Sequence, residues 1–465
     1  MQTWTVILTV ASFIMTVVLI LWRPRGLNEA IPAICGAALT VLSGSVSLED
    51  LRTIGADVGG ATVTILSTIA MAIVLESFGV FQFAANFLAR LSKNSGVRLF
   101  WYINLMSLLM TMFFNNDGGI IIATPILLIL LNKLGLKPHQ QIPYLISGAL
   151  IDTAASAPIG VSNIVNLISL KIIGMNLITF SSMMFVPAMT GLGVLSLLNY
   201  LVLKKELPRD LAANRAVQGP RPHLQHRSVW PPRRAFPTLE RHTQKEIEFD
   251  VPSKAKVRFI RNVLLYVLAV RVGLFLGAYF GIPVSVTAVL GAAILLVWRW
   301  LKMRTSPIDV IKKTPWHILV FAFGMYVVVY GMHKIGLTTW LMREIEPLVT
   351  GSGLHAVATT AILVTIMSNI FNNHPALMIG TLTLTNMHLD PMTLKVAYLG
   401  NVIGSDIGSL IMPIGLLATL IWMYILKQHH VHISWGRYIR LTAIVIPVTV
   451  LVTILLVYGW VHLIY

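Results

Sequence analysis

Apolar residues run along this chain in long blocks that polar residues interrupt only briefly. The blocks cover roughly 2–21, 30–46, 59–79, 97–114, 117–132, 141–176, 180–203, 258–280, 283–300, 315–334, 353–371, 375–387, 395–426 and 440–463. Runs of about 18 residues or more with almost no charge predict helices that cross a bilayer. The pattern therefore predicts an all-α polytopic membrane protein. Two interruptions do not suit simple crossings. "FFNND" (113–117) and "IFNNH" (370–374) place amides, a carboxylate and an imidazole between apolar arms. An arm of about 15 residues rises about 22 Å, against a hydrocarbon core of about 30 Å. Each pair of arms is expected to form a re-entrant helical hairpin, at about 97–136 and about 353–388, with its polar tip inside the membrane. Backbone can unwind at that depth only where it lines a protein cavity instead of lipid.

Two other blocks, at about 141–176 and about 395–426, carry proline and glycine midway, as "APIG" (157–160) and "MPIG" (412–415). They are expected to be broken transmembrane helices, because proline removes a helix hydrogen bond and frees carbonyls. The order of elements then occurs twice. "IPAICGAAL" (31–39) matches "PVSVTAVLGAAI" (283–294), and "FNND" (114–117) matches "FNNH" (371–374), at offsets of 255 to 257 residues. Residues 1–203 form one repeat, 258–465 the other, and 204–257 a basic linker. The first element of one half runs opposite in direction to that of the other. The expected architecture is thus two inverted-topology repeats, a plan that in carriers places substrates near the midplane at broken helices.

Charge fixes the expected orientation. Of the 35 Lys and Arg, 29 fall in segments that face one side if residue 1 is outside and each hairpin returns to its own side. Four, Arg52, Lys334, Arg343 and Lys395, fall on the other, and Lys171 and Arg271 lie within spans. The positive-inside rule makes the rich side cytoplasmic, so both termini are expected outside and the linker inside. The net charge of +17 thus reflects topology, not nucleic-acid binding. The linker is a solvated, proline-containing tether on this reading, with a dock for a soluble partner or anionic lipid as the sharper alternative. The run from Trp4 to Leu21 lacks a basic leader and a small-residue cleavage site, so it reads as a retained span. One cysteine, Cys35, excludes a disulfide framework or a thiolate metal cluster and reads as a small packing residue. There is no glycine-rich loop ending in Lys-Ser or Lys-Thr, so the chain is expected to be neither an ATPase nor another enzyme, and no cofactor is expected.

The candidate chemistry sits at the tips and breaks. The first tip offers Asn115, Asn116 and Asp117, and the second Asn372, Asn373 and His374. The first break offers Asp152, Thr153 and Ser156 before "APIG" and Ser162, Asn163 and Asn166 after it. The second offers Asn401, Ser405, Asp406, Ser409 and Thr419. The bland readings are that Asp117, Asn373 and His374 cap the returning arms and that Asn166 and Ser169 join helices. Glu76 reads as interfacial, and Arg271 as half of a buried ion pair. Carboxylates inside spans are costly and usually functional, which singles out Asp152 and Asp406.

The stretches "FFNNDGGIIIATPILL", "DTAASAPIGVSNIVNLIS", "FGMYVVVYGM", "MSNIFNNHPALMIG" and "GNVIGSDIGSLIMPIGLLATLIW" resemble the arsenical pump membrane proteins, a family of arsenite/antimonite efflux permeases in the ion transporter superfamily. The resemblance spans nearly the whole chain and is weakest in 204–257. It implies a scaffold and a transport domain, and export of arsenite and antimonite across a bacterial inner membrane, driven by exchange for protons. It also implies, for some members, a soluble arsenite-stimulated ATPase as partner. The family's second break often reads GPK-x-TPIGS. Here Gly408–Leu416 reads GSLIMPIGL, without the lysine and two hydroxyls, which leaves Asp406 with no nearby cation in the sequence.

The chemistry agrees with this resemblance. Arsenite at neutral pH is mostly an uncharged triol, which amides, hydroxyls and carboxylates can hydrogen-bond, while thiolates would hold trivalent arsenic too tightly. Asn115, Asn116, Asp117, Ser162, Asn163, Asn372, Asn373 and His374 are the expected substrate contacts. Asp117, Asp152 and Asp406 are the expected proton carriers. Rival readings are a sodium/proton antiporter of the same fold, a dicarboxylate carrier, for which the tips lack cations, a structural subunit and a gated channel.

Overall fold

The computed structural model describes residues 3–24, 27–211 and 253–465, all helix and connecting turns, with no strand among them. In the first half the helices are α1 (Thr3–Trp22), α2 (Ala30–Leu42), α3 (Leu48–Ser77), α4 (Val80–Leu91), α5 (Gly96–Phe113), α6 (Asn116–Lys133), α7 (Pro138–Ala154), α8 (Ile164–Ile173) and α9 (Leu177–Leu203). In the second they are α10 (Lys254–Tyr279), α11 (Val284–Met303), α12 (Ile308–Lys313), α13 (His317–Lys334), α14 (Leu337–Val349), α15 (Gly353–Phe371), α16 (Asn373–Thr385), α17 (Pro391–Asp406), α18 (Leu417–Gln428) and α19 (Trp435–Ile464). In both halves two helices joined at a short polar turn, α5–α6 and α15–α16, are followed by two helices separated by 3-10 turns, α7–α8 and α17–α18.

Nine helices among the described residues, α1, α3, α5, α9, α10, α11, α13, α15 and α19, are long and apolar enough to cross a membrane. Their outward faces are greasy rather than polar. Leu265 on α10, Ile294 on α11, Ile366 on α15 and Leu451 on α19 are each more than half exposed. Water would penalise such a surface, and lipid does not. The protein is a multi-pass integral membrane protein.

Local chemistry places the helix starts. Ser47 and Asp50 form a reciprocal capping box on α3, and Ser95, Asn176, Ser253, Ser352, Asp390 and Ser434 each accept a backbone N–H of the helix that follows. Pro138 and Pro391 open α7 and α17, where the missing N–H costs nothing.

The helices pack in two groups. In one, α2 lies between α1 and α13, α3 lies against α11 and α13, and α10 pairs with α11. In the other, α5 packs on α6 and α7, α15 on α16 and α17, and α9 on α19. The short amphipathic helices α4 and α14 sit at the boundary. Each touches both arms of the nearest α5–α6 or α15–α16 pair. Of the linker at 204–257, only 204–211 and 253–257 fall within the described residues. There Glu206 forms an ion pair with Arg437 of α19. Cys35 is exposed on α2, on the opposite side from the packed face expected of it. The reason is helical phase: its neighbours Pro32, Ala33, Gly36 and Ala37 take the buried positions.

Candidate functional site

Both hairpin tips are turns of one or two residues. α5 ends at Phe113, and Asn115 opens α6 by accepting the Gly118 N–H at 2.7 Å. α15 ends at Phe371, and Asn372 opens α16 by accepting the His374 N–H at 3.3 Å. Consecutive asparagines break a helix here because their side chains compete for backbone partners. Asn372 takes φ +83°, a conformation that glycine favours and that costs a side-chain-bearing residue about 1–3 kcal/mol. The tips are buried: Asn115, Asn116, Asn372, Asn373 and His374 are all at most 5% exposed. The His374 ring lies edge-on to Phe321 of α13 at 5.2 Å, and its Nδ1 is 2.9 Å from Asn373 Oδ1. Asp117 is the second residue of α6, and its side chain lies outside the described residues.

The broken helices unwind between their halves. After α7, one 3-10 turn (Gly160–Ser162) leads to Asn163, which caps α8 by accepting the Val165 N–H at 3.1 Å. After α17, two turns (Gly408–Ile411 and Pro413–Gly415) lead to α18. Side chains satisfy the backbone this exposes. Asn369 of α15 donates to Gly408 O at 2.9 Å and accepts the Met412 N–H at 2.7 Å. Tyr438 and Thr442 of α19 donate to Leu410 O at 3.1 Å and Ile411 O at 2.7 Å. Non-helical backbone at membrane depth requires such partners.

The two halves meet at Asp406. Its Oδ2 accepts from Ser156 Oγ and Asn166 Nδ2, each at 2.7 Å, and its Oδ1 from Asn163 Nδ2 at 3.1 Å. All three donors belong to the other half, 240 to 250 residues away. The partners of Asp406 among these bonds are thus neutral donors. Asp152 has a partner within its own half: Thr111 of α5 donates to its Oδ1 at 2.7 Å. α6 can lie this close only because residue 119 is glycine. A Cβ there would come within 2.6 Å of the Asp152 carboxylate. The hairpins cross over as well. The returning arm α6 packs on α18 of the second half, and α16 packs on α8 of the first.

Several buried side-chain atoms around this junction have no hydrogen-bond partner among the described residues: Asn116 Oδ1, Ser162 Oγ, Asn373 Nδ2, Ser409 Oγ and both amide atoms of Asn401. Buried polar groups are nearly always paired, so these atoms stand out as unmet donors and acceptors. Among the described residues, no three His, Cys, Asp or Glu side chains converge as a metal site would require.

Of the expected contacts, Asn163 meets Asp406 directly. Asn372 reaches the second break through a long contact of its Nδ2 with Ile414 O, at 3.5 Å. No hydrogen bond joins the two tips to each other among the described residues. Three contributors were not nominated from the sequence: Thr111, Asn369 and Arg271 in its observed role. Asn369 lay inside the quoted stretch "MSNIFNNH" and was legible. Thr111 was one hydroxyl among many. Arg271 bonds main-chain carbonyls instead of a carboxylate, so no acidic residue in the sequence pointed to it.

The comparisons with known proteins bear on this geometry. Residues 17–399 match a protein family described as a citrate transporter. A Bacillus subtilis relative named "Putative arsenical pump membrane protein" is 52% identical over 450 residues, covering 97% of this chain and 98% of its own. The chain belongs to this family. An Escherichia coli arsenical pump membrane protein is 31% identical over 441 residues, with 95% of each chain covered. The family is one of membrane transporters, and the present member shares its length almost end to end. A crystal structure of the Alcanivorax borkumensis YdaH transporter, described as having an unusual topology, superposes with a TM-score of 0.51 over 97% of this chain and 98% of that one. At 14% identity that likeness concerns the fold alone.

Proposed function

We propose that this member of the family exports arsenite and antimonite from the cytoplasm, in exchange for protons. The observation that carries the reading is the buried junction where two amide-rich tips and two unwound breaks leave donors and acceptors unmet around a single cross-half carboxylate. A small neutral triol both donates and accepts at every hydroxyl, and such a mixed set suits it. A neutral solute alone would only equilibrate, so uphill export needs a coupled ion. Asp117, Asp152 and Asp406 are the proposed proton carriers, and the tip residues with Ser162 and Asn163 are the proposed substrate contacts. The α5–α6 and α15–α16 pairs are read as re-entrant hairpins of inverted repeats, in a transport domain that works against a scaffold containing α1, α2, α3, α10, α11 and α13. The inner bacterial membrane, with both termini outside, is the proposed setting.

The family description favours a second reading, a carrier of citrate-like carboxylates. A polyanion calls for cations at the site. Among the described residues the two buried arginines are already engaged: Arg299 with Asp309, and Arg271 with two main-chain carbonyls.

The deciding test is arsenite uptake into everted vesicles energised by respiration without ATP, with an uncoupler, sodium-free buffer and excess citrate as separate controls. Accumulation that the uncoupler abolishes, and that neither sodium removal nor citrate changes, is the expected result. Sodium-dependent proton movement without arsenite accumulation would favour the antiporter instead. Arsenite accumulation that requires ATP and a soluble partner would move the energy source to the ATPase.

A further inference from the structure

Arg271 lies within α10, where a cationic side chain is costly unless it performs a task. It is 5% exposed. Its Nε donates to Phe113 O at 2.6 Å and its Nη2 to Phe114 O at 2.9 Å. These carbonyls stand at the end of α5, where helix termination leaves them without partners and the helix dipole is negative. The next residues are Asn115 and Asn116. A helix of the second half therefore grips the first tip by its main chain.

Ring packing seats both tips. Phe114 and Phe371, the matching residues of the two tips, are 257 positions apart. Phe13 of α1 meets the Phe371 ring edge-on at 5.4 Å. Phe114 is packed in the same way, edge-on to Phe81 at 5.7 Å, so the guanidinium is an addition at the first tip and not a substitute for ring packing. Arg271 also carries a buried nitrogen, Nη1, that has no hydrogen-bond partner among the described residues. An unmet buried donor works against stability. Ring packing is already supplied at both tips and does not call for the guanidinium.

We propose that Arg271 is a positioning residue for substrate binding. By holding the carbonyl end of α5 it fixes the main chain from which Asn115 and Asn116 present their amides, and so makes the first tip the rigid half of the binding site. The proposal rests on the reading of this chain as a carrier of a small trivalent oxyacid.

The test compares wild type with Arg271→Gln and Arg271→Lys in everted vesicles. The initial rate of arsenite uptake is followed against arsenite concentration at a fixed proton gradient, and membrane content is measured by immunoblot. Gln is shorter and uncharged and lacks the Nε–Nη2 fork that spans the Phe113 and Phe114 carbonyls. It is expected to raise the half-saturating concentration about tenfold while the maximal rate per inserted protein stays within about twofold, the split that marks lost binding. Lys offers a point charge without the fork and should fall between Gln and wild type. An unchanged half-saturating concentration in the Gln variant overturns the proposal. If Gln does not insert, the Lys variant is read on the same criterion. Absence of both from the membrane makes Arg271 a folding residue and also overturns it. Wild-type vesicles that accumulate no arsenite would sink the functional reading itself, and this proposal with it. Wild-type accumulation with unaltered variants would sink this proposal alone.

Discussion

Asp406 and Asp152 occupy similar stretches of the two broken helices but keep different company. Asp406 accepts three hydrogen bonds from the opposite half and pins the two breaks together. Replacing it by alanine strands the Asn163 and Asn166 donors, at about 1–3 kcal/mol for each buried group left unmet, while Ser156 keeps Thr153 O as an acceptor. Asp406→Ala should therefore melt well below wild type in detergent, with Asp406→Asn, which keeps one acceptor oxygen, in between. Equal melting temperatures for all three would show that the pin contributes nothing. Asp152 answers to Thr111 and faces Gly119 of the returning arm. As a proton carrier it should be indispensable to coupling and dispensable to folding. Asp152→Asn is expected to insert normally yet fail to accumulate arsenite against a gradient, and normal gradient-driven uptake by that variant would remove it from the mechanism. Every one of these residues was legible as a polar group in an apolar setting. Their pairings were not, because a hydrogen bond across 250 residues leaves no local trace in the chain.

Elements were more legible than contacts. Caps, prolines and apolar run lengths are local signals, and helix boundaries follow from them. The short helix α12 is an exception, since six residues carry too little periodicity to be read. Its position comes from Arg299 at the end of α11. The guanidinium donates to both carboxylate oxygens of Asp309, at 2.8 and 2.7 Å, and to Ser77 Oγ of α3 at 2.9 Å. Hydrogen bonding from Arg299 holds the Asp309 carboxyl below its ordinary pKa. A depressed folded-state value means that the contribution to docking is present above the unfolded pKa, about 4. It is lost as pH falls below that, through the folded value. The Asp309 side chain is 38% exposed, so solvent screening keeps the effect small. Arg299→Ala should make the bonds after Lys312 and Lys313 cleave faster when trypsin reaches the cytoplasmic face of everted vesicles. Unchanged cleavage would show that α12 is held by its apolar residues alone.

At the scale of the whole molecule, the proposed orientation rests on the distribution of Lys and Arg. The single cysteine makes it testable. In a Cys35→Ser background, a cysteine replacing Ser228 in the linker should react with an impermeant maleimide in everted vesicles and not in right-side-out ones. The reverse pattern would invert the topology and, with it, the direction of transport assigned to the site. The helix order, with α5–α6 and α7–α8 in one half answered by α15–α16 and α17–α18 in the other, is what lets two polar interruptions share one junction. The backbone of the second break is satisfied within its own half by Asn369, Tyr438 and Thr442, whereas the Asp406 side chain takes its partners from the other half.

The sequence by itself determined that the chain is helical, that it lives in a bilayer, and where its polar interruptions lie. Those properties depend on runs of neighbouring residues and on the free energy of moving apolar and charged groups between water and lipid, which needs no knowledge of the fold. Only the tertiary structure decided which interruptions meet. It placed Asp406 against Ser156, Asn163 and Asn166, crossed each returning arm onto the opposite half's broken helix, and set Arg271 on the end of α5. Inside a membrane, helix-on-helix packing is chosen by close shape fit and by the pairing of polar groups that lipid cannot solvate. Both are properties of surfaces brought together from distant parts of the chain.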